Sequence, residues 1–198
     1  MLSYLPGFEP CLDDWTSDDW QTPSGESATI ANLIQPTELH ILDPAAGTGQ
    51  LLKPIPRIQG RSLTAFELKP SRVIVGKERC PSVRWNQGSF FDMPVRRLFD
   101  LILTNPPFSL RMDFIRQSLL HLKPSGRLLY LMPIDFNCGK VMGNTWEQLD
   151  CHIHHQYSFQ HRIAYLDANG TPQKGRQIYD AVFDIRPSRS LGAVSFLR

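Results

Sequence analysis

Nowhere in its 198 residues does the chain hold a run of about 18 apolar residues, so no membrane-spanning helix is expected. Residues 1–7 lack the charged-then-apolar order of a secretion signal, which points to the cytoplasm. Cysteine is scarce. Cys11, Cys80, Cys138 and Cys151 lie far apart with no C-x-x-C pair, so reduced thiols are expected in place of a disulfide framework. Basic residues are missing from the first 50 positions, which carry eight of the 19 acids. All 21 Lys and Arg therefore fall in the remainder, against eleven acids, and a basic body of that kind suits contact with nucleic-acid phosphates. An ordinary solvated surface is the competing reading. With 41% hydrophobic residues at this length, one globular domain is expected.

What the chain does have is a regular alternation. Residues 1–24 read as an irregular acidic lead-in, with Trp15 and Trp20 set among Asp13, Asp14, Asp18 and Asp19. Thr22-Pro23 then opens a helix over 24–34, with Ala28, Ile30, Ala31 and Ile34 facing inward and Pro36 as its stop. Short apolar runs predict strands at 39–42, 61–66, 83–86, 99–103 and 127–132. Helices are expected at 70–79 and 112–122, with a short, distorted one after Gly49, where Pro54 and Pro56 intrude. Such alternation implies a parallel sheet with helices on both faces. The last third breaks the pattern. Residues 135–157 read as a polar inserted loop with a short helix near 144–149, and 162–166 pairs with 177–186 as a closing antiparallel hairpin. The domain is drawn from 25 to 198.

The ends of the expected strands carry the chemistry. The first runs into Asp43-Pro44-Ala45-Ala46-Gly47-Thr48-Gly49, a small-residue turn whose N–H groups can approach a ligand closely. It lacks the third glycine of the dinucleotide fingerprint, and its acid suits an ammonium better than a pyrophosphate. Glu67 ends the second strand, where an acid can accept both hydroxyls of a ribose. The loop Gln87-Gly88-Ser89-Phe90-Phe91-Asp92 offers a polar group and rings to a base. The fourth strand ends in Thr104-Asn105-Pro106-Pro107-Phe108. Its prolines fix φ and hold Asn105 extended, a stiff corner with an amide acceptor for an N–H and a ring to stack on. A plain Asn-Pro turn would read the same way. Cys151-His152-Ile153-His154-His155, with His161, invites a zinc reading, but no second cysteine stands at ligand spacing and no metal is expected. Arg162, Lys174 and Arg176, in or beside the expected hairpin, are candidate phosphate contacts.

Taken in order, DPAAGTG, Glu67, GSFFD and NPPF resemble the S-adenosylmethionine-dependent methyltransferases of the seven-stranded type. More narrowly, Asp43–Gly49 with Asn105–Phe108 looks like the adenine-N6 DNA methyltransferases. The resemblance covers residues 19–186. It implies a doubly wound, mostly parallel, Rossmann-like seven-stranded sheet closed by an antiparallel hairpin, with S-adenosylmethionine as cofactor. It further implies that Trp20, Thr22 and Pro23 close over the methionine end of the cofactor, and that Asp43, Pro44, Ala45, Gly47 and Gly49 cradle its amino-acid part. Glu67, with Leu68 beside it, would hold the ribose hydroxyls. Ser89, Phe90 and Asp92 would face the adenine; the family often has an acid where Ser89 stands, so either Ser89 or Asp92 makes the polar contact. Asn105 and the Pro106 carbonyl would accept hydrogen bonds from the target amine, Pro107 would stiffen the corner, and Phe108 would stack on the flipped base. The expected reaction is methyl transfer to the N6 amine of adenine, in DNA, within a prokaryotic cell or phage-infected host. RNA base amines and protein glutamine amides are the alternative acceptors. Because little of the chain is left over for target recognition, a cofactor-binding subunit that needs a separate recognition partner is the alternative role.

Overall fold

The computed structural model describes residues 20–96, 98–138, 146, 148–167, 170–173 and 177–188. The acidic lead-in with Trp15, and the candidate contacts Lys174 and Arg176, lie outside the described residues. Strands β1 (His40–Asp43), β2 (Ser62–Glu67), β3 (Arg84–Gln87), β4 (Phe99–Thr104) and β5 (Leu122–Pro133) run parallel. β6 (Cys151–Ser158) and β7 (Asp180–Pro187) add an antiparallel end. Among the described residues these form one seven-stranded sheet in the order β3-β2-β1-β4-β5-β7-β6. The carboxyl ends of β1, β2 and β4 therefore lie side by side, which is where open α/β sheets bind ligands.

Alternation along β4 and β5 sorts their apolar residues between two cores. Leu101, Leu103, Leu129 and Leu131 join Ile41, Ala65 and Ile30 of helix α1 (Ser24–Ala31) on one face. Ile102, Leu128, Tyr130 and Met132 join Leu42, Phe183 and Ile115 of α3 (Arg111–His121) on the other. Burial on both faces is why these strands read as unbroken apolar runs. Helix α2 (Pro70–Arg79) lies on the α1 face, with Gly76 pressed against the Trp85 ring. Beneath the first core, Arg127 of β5 donates to Glu38 at 2.6 Å, to Asp184 of β7 at 2.8 Å and to the Leu33 carbonyl at 2.7 Å. Burial opposes the charge of Asp184, but hydrogen bonds from Arg186 and Arg127 hold its carboxyl below the ordinary aspartate range.

Several expectations change in the structure. Helix α1 ends at Ala31 and relaxes into tight turns, with Leu33 and Ile34 donating to the carbonyls of Ile30 and Ala31, so the apolar spacing outlasts the helix. Ser27, not Ala28, faces inward. After Gly49 the chain makes turns in place of a helix, because Pro54 and Pro56 remove donors, yet Leu51, Leu52 and Ile55 are still buried. The closing hairpin is built from β6 and β7, so residues 151–157 belong to the sheet and not to an inserted loop. Residues 162–165 form no strand, and Leu166 makes isolated bridges to Gln21 and Pro172. β6 was masked by its composition, three histidines and a glutamine. An edge strand needs one paired neighbour and one modestly apolar face, and a bulge between Ile153 and His155 shifts the alternation further.

Candidate active site

The tips of β1, β2 and β4 enclose a cavity of about 270 Å³, comparable to small-ligand sites. Trp20, Pro44, Ala45, Gly47, Glu67, Leu68, Ser89, Phe90 and Asn105 all line it. Asp43 and Thr22 sit behind this wall, in a small adjoining hollow that Asn105 also lines. Pro23, Gly49 and Asp92 reach neither. Gly47 has φ of 55° with open space where a Cβ would stand, so a side chain there would fill the approach to the loop. Gly49 instead serves packing: at φ of 84°, a Cβ would press on Cys80 Sγ and Trp85, both 3.1 Å away.

The two acids differ in how they are held. Glu67 accepts from the N–H of Gly47 at 2.8 Å and from that of Lys69 at 2.9 Å, which pins the glycine turn to the end of β2. Asp43 is 1% exposed. Burial pushes its carboxyl up to about 7; the Thr104 hydroxyl and the Ala45 N–H favour its charged form, and neighbouring Glu67 opposes it. A carboxyl so placed gains most from a cation arriving beside it. Ser89 spends its hydroxyl accepting from Phe91 N–H at 3.2 Å, which caps the turn at Phe90–Asp92. It stands in the cavity wall, whereas Asp92 is exposed.

At the corner after β4, Asn105 Nδ2 donates to the Trp20 carbonyl at 3.2 Å and to Thr22 Oγ1 at 3.3 Å. These two acceptors decide which way the amide points. Oδ1 is left buried without a hydrogen-bond partner among the described residues, an acceptor that costs free energy until a donor meets it. Pro106 is buried, and Pro107 starts a short turn at Phe108–Leu110. Phe108 faces a second cavity, of about 500 Å³, with Arg111, Pro133, Asp135, Phe136, Cys138 and Ile178. Trp20 lines both cavities. The strip bearing it is tied down by paired backbone bonds between Gln21 and Leu166, and by its ring against Tyr165.

The sequence did not mark Gln21, Lys69, Arg72, Leu110 or Phe114 as lining the first cavity. Lys69 was detectable, since it lies between Glu67 and the proline that opens α2. Beyond Phe108 the second cavity left no local signal, because its walls come from the turn after β4, the start of α3, the end of β5 and the approach to β7. Among the described residues no three His, Cys, Asp or Glu converge as metal ligands. His152 is buried, with burial first and then His154 and Arg186 holding its ring neutral. His161 is bonded to Glu26. Arg162 packs over the Tyr179 ring and Arg186 is bonded to Asp184, so these cations serve local structure.

No family model matches the chain. A tRNA1(Val) (adenine(37)-N6)-methyltransferase from Glaesserella parasuis serovar 5 (strain SH0165) is 28% identical over 122 residues, 48% of this chain and 52% of the relative. The chain thus spans about half the length of that curated relative. Among solved structures, TYW2 from M. jannaschii in complex with AdoMet matches with a TM-score of 0.60 at 13% identity, over 87% of this chain and 76% of that one. A TehB-like SAM-dependent methyltransferase from Corynebacterium glutamicum matches at 0.56 and 16%, over 81% and 86%. Such identities speak to fold alone, and with the sheet order they make this chain a Rossmann-like α/β protein, a mostly parallel seven-stranded sheet with antiparallel C-terminal strands.

Proposed function

We propose that the chain transfers a methyl group from S-adenosylmethionine to the exocyclic N6 amine of adenine in a nucleic acid. The observation that carries this is Asn105. Its Oδ1 is buried and unpartnered, its orientation is set by Trp20 and Thr22, and it stands beside the cavity walled by the glycine turn and Glu67. The first cavity fits the cofactor. Glu67 places a carboxylate in its wall at the tip of β2, Gly47 leaves room at the turn, and buried Asp43 would regain its charge beside an ammonium. When bound, the cofactor supplies an electrophilic methyl on a sulfonium.

The remaining work falls to this chain's own side chains. An aromatic amine is a weak nucleophile because its lone pair is spread into the ring. Asn105 Oδ1, accepting one N–H, favours a pyramidal nitrogen whose lone pair is localised. Alignment then replaces a strong base. The Phe108 ring, half-buried in the wall of the second cavity, offers a face for a planar base, and a duplex base would have to flip out to reach it. The adenine-N6 specificity of the 28% identical relative supports a base amine as acceptor and sets RNA beside DNA as the polymer.

The test uses labelled cofactor with tRNA, double-stranded DNA and a glutamine peptide. Label is expected in adenine of a nucleic acid. Asn105→Ala is expected to lower transfer by at least about 100-fold, the scale for removing one aligned polar group, with cofactor affinity within threefold. Wild-type transfer by that variant, or label only in the peptide, would overturn the assignment.

A further inference from the structure

We infer that the open face of β1–β3 is a second nucleic-acid surface, which takes the phosphate backbone of the polymer whose base reaches Asn105; this rests on the function proposed above. The connection from β3 to β4 is short. Among the described residues, 88–98 include the turn at Phe90–Asp92 and no α-helix, so no described helix covers the α3 side of β2 and β3. That face is accordingly polar, with Thr64 opposite Arg84 and Phe66 opposite Asn86. It forms a groove of about 530 Å³ that also takes in Ser62, Arg96 and Lys123 and has no acid in its lining.

Charge decides the occupant. Lys123 is committed to Asp100 at 2.8 Å, and Asp100 is itself occupied by the N–H groups of Leu39 and His40. Arg84 and Arg96 have no acidic partner among the described residues, and Arg84, on the edge strand, is exposed. Two free guanidiniums in a cleft with hydroxyl and amide groups suit a string of phosphates: they bind oxygens in pairs, and the cleft concentrates their field. The groove also adjoins the site. Phe66 lines it and packs edge-on against Phe90, 6.1 Å between ring centres, and Phe90 lines the first cavity.

The experiment is fluorescence anisotropy with labelled bulk tRNA and a labelled single-stranded DNA 20-mer, over a salt series. The proteins are wild type, the double variant Arg84→Glu/Arg96→Glu, and Lys77→Glu as a charge control. Lys77 lies on α2, behind the sheet: Gly76 of that helix meets Trp85, whose neighbours Arg84 and Asn86 point to the opposite face. The double variant is expected to bind at least tenfold more weakly. Its salt slope on the single strand should fall by about 1.4, the share of two phosphate contacts, with cofactor affinity unchanged. Lys77→Glu should leave the slope alone. An unchanged slope in the double variant, an equal fall in the control, or no binding of either polymer by wild type would overturn the groove. Failure of the proposed function would look different: no methyl transfer by wild type to either polymer, with binding present and still lost in the double variant.

Discussion

Asp43 has the least ordinary environment of the residues at this site. Its carboxyl holds its proton to about 7, against 3.8 for an unperturbed aspartate, chiefly because it is buried. The folded state thus binds that proton more tightly than the unfolded state does. Stability contributed by the neutral carboxyl is complete below the lower value and is lost as pH rises toward the upper one, by about 4 kcal/mol at most. Asp43→Asn removes the ionisation. Denaturant midpoints should show the variant gaining on wild type from pH 4 to 7, with no further gain above. The same substitution should abolish cofactor binding. Wild-type cofactor affinity, measured by calorimetry, should rise with pH through this window and level off above about 7, because an ammonium needs the ionised partner. Asn105 is the complementary case, a neutral group whose orientation is fixed by two hydrogen bonds and whose acceptor is left over. Asn105→Ala separates transfer from binding. Both residues were marked in the sequence by their places at strand tips. Their burial and partners were not, since Trp20 and Thr22 reach Asn105 from 85 and 83 residues away.

Among the elements, α2 shows how a local rule can be outvoted. Gly76 sits inside a helix, where replacement by alanine gains about 1 kcal/mol from propensity alone. A Cβ at that position would stand 2.1 Å from Trp85 Cη2, and a rigid indole fixed between β3 and the first core cannot yield by a small torsion. Overpacking costs about 1–3 kcal/mol and should win. Gly76→Ala is therefore expected to be less stable than wild type in urea unfolding, and Gly76→Ala/Trp85→Phe should recover part of the loss. The β4 corner follows its local rule, because two prolines constrain their own dihedrals and that of the residue before them wherever the fold places them. β6 does not. Its pairing with β7 rests on a neighbour that begins more than 20 residues later, and its own residues look like a polar loop.

Across the whole molecule, one buried guanidinium joins parts that no local pattern connects. Arg127 binds Glu38 and Asp184, 89 and 57 residues away, and so ties the turn before β1 to β5 and β7. Arg127→Leu would leave the Glu38 carboxylate buried without its cation, at a cost of about 3–5 kcal/mol. Equilibrium unfolding should show that loss, with a smaller one for the double variant Arg127→Leu/Glu38→Leu. The basic groove is a property at the same scale. Arg84 and Arg96 are twelve residues apart, and their shared face exists because no α-helix among the described residues bridges β3 to β4.

The sequence by itself determined the five parallel strands, the glycine turn, the acid at the tip of β2 and the stiff Asn105–Phe108 corner. Each depends on forces within a few residues: side-chain alternation, proline dihedrals and small-residue turns. Tertiary structure alone decided that β6 is a strand, that Ser89 and not Asp92 lines the first cavity, and that Trp20 stands between two cavities. It also decided which cations are left unpaired. These depend on who meets whom across the sheet, and burial and charge pairing are set by distant neighbours that no window of sequence contains.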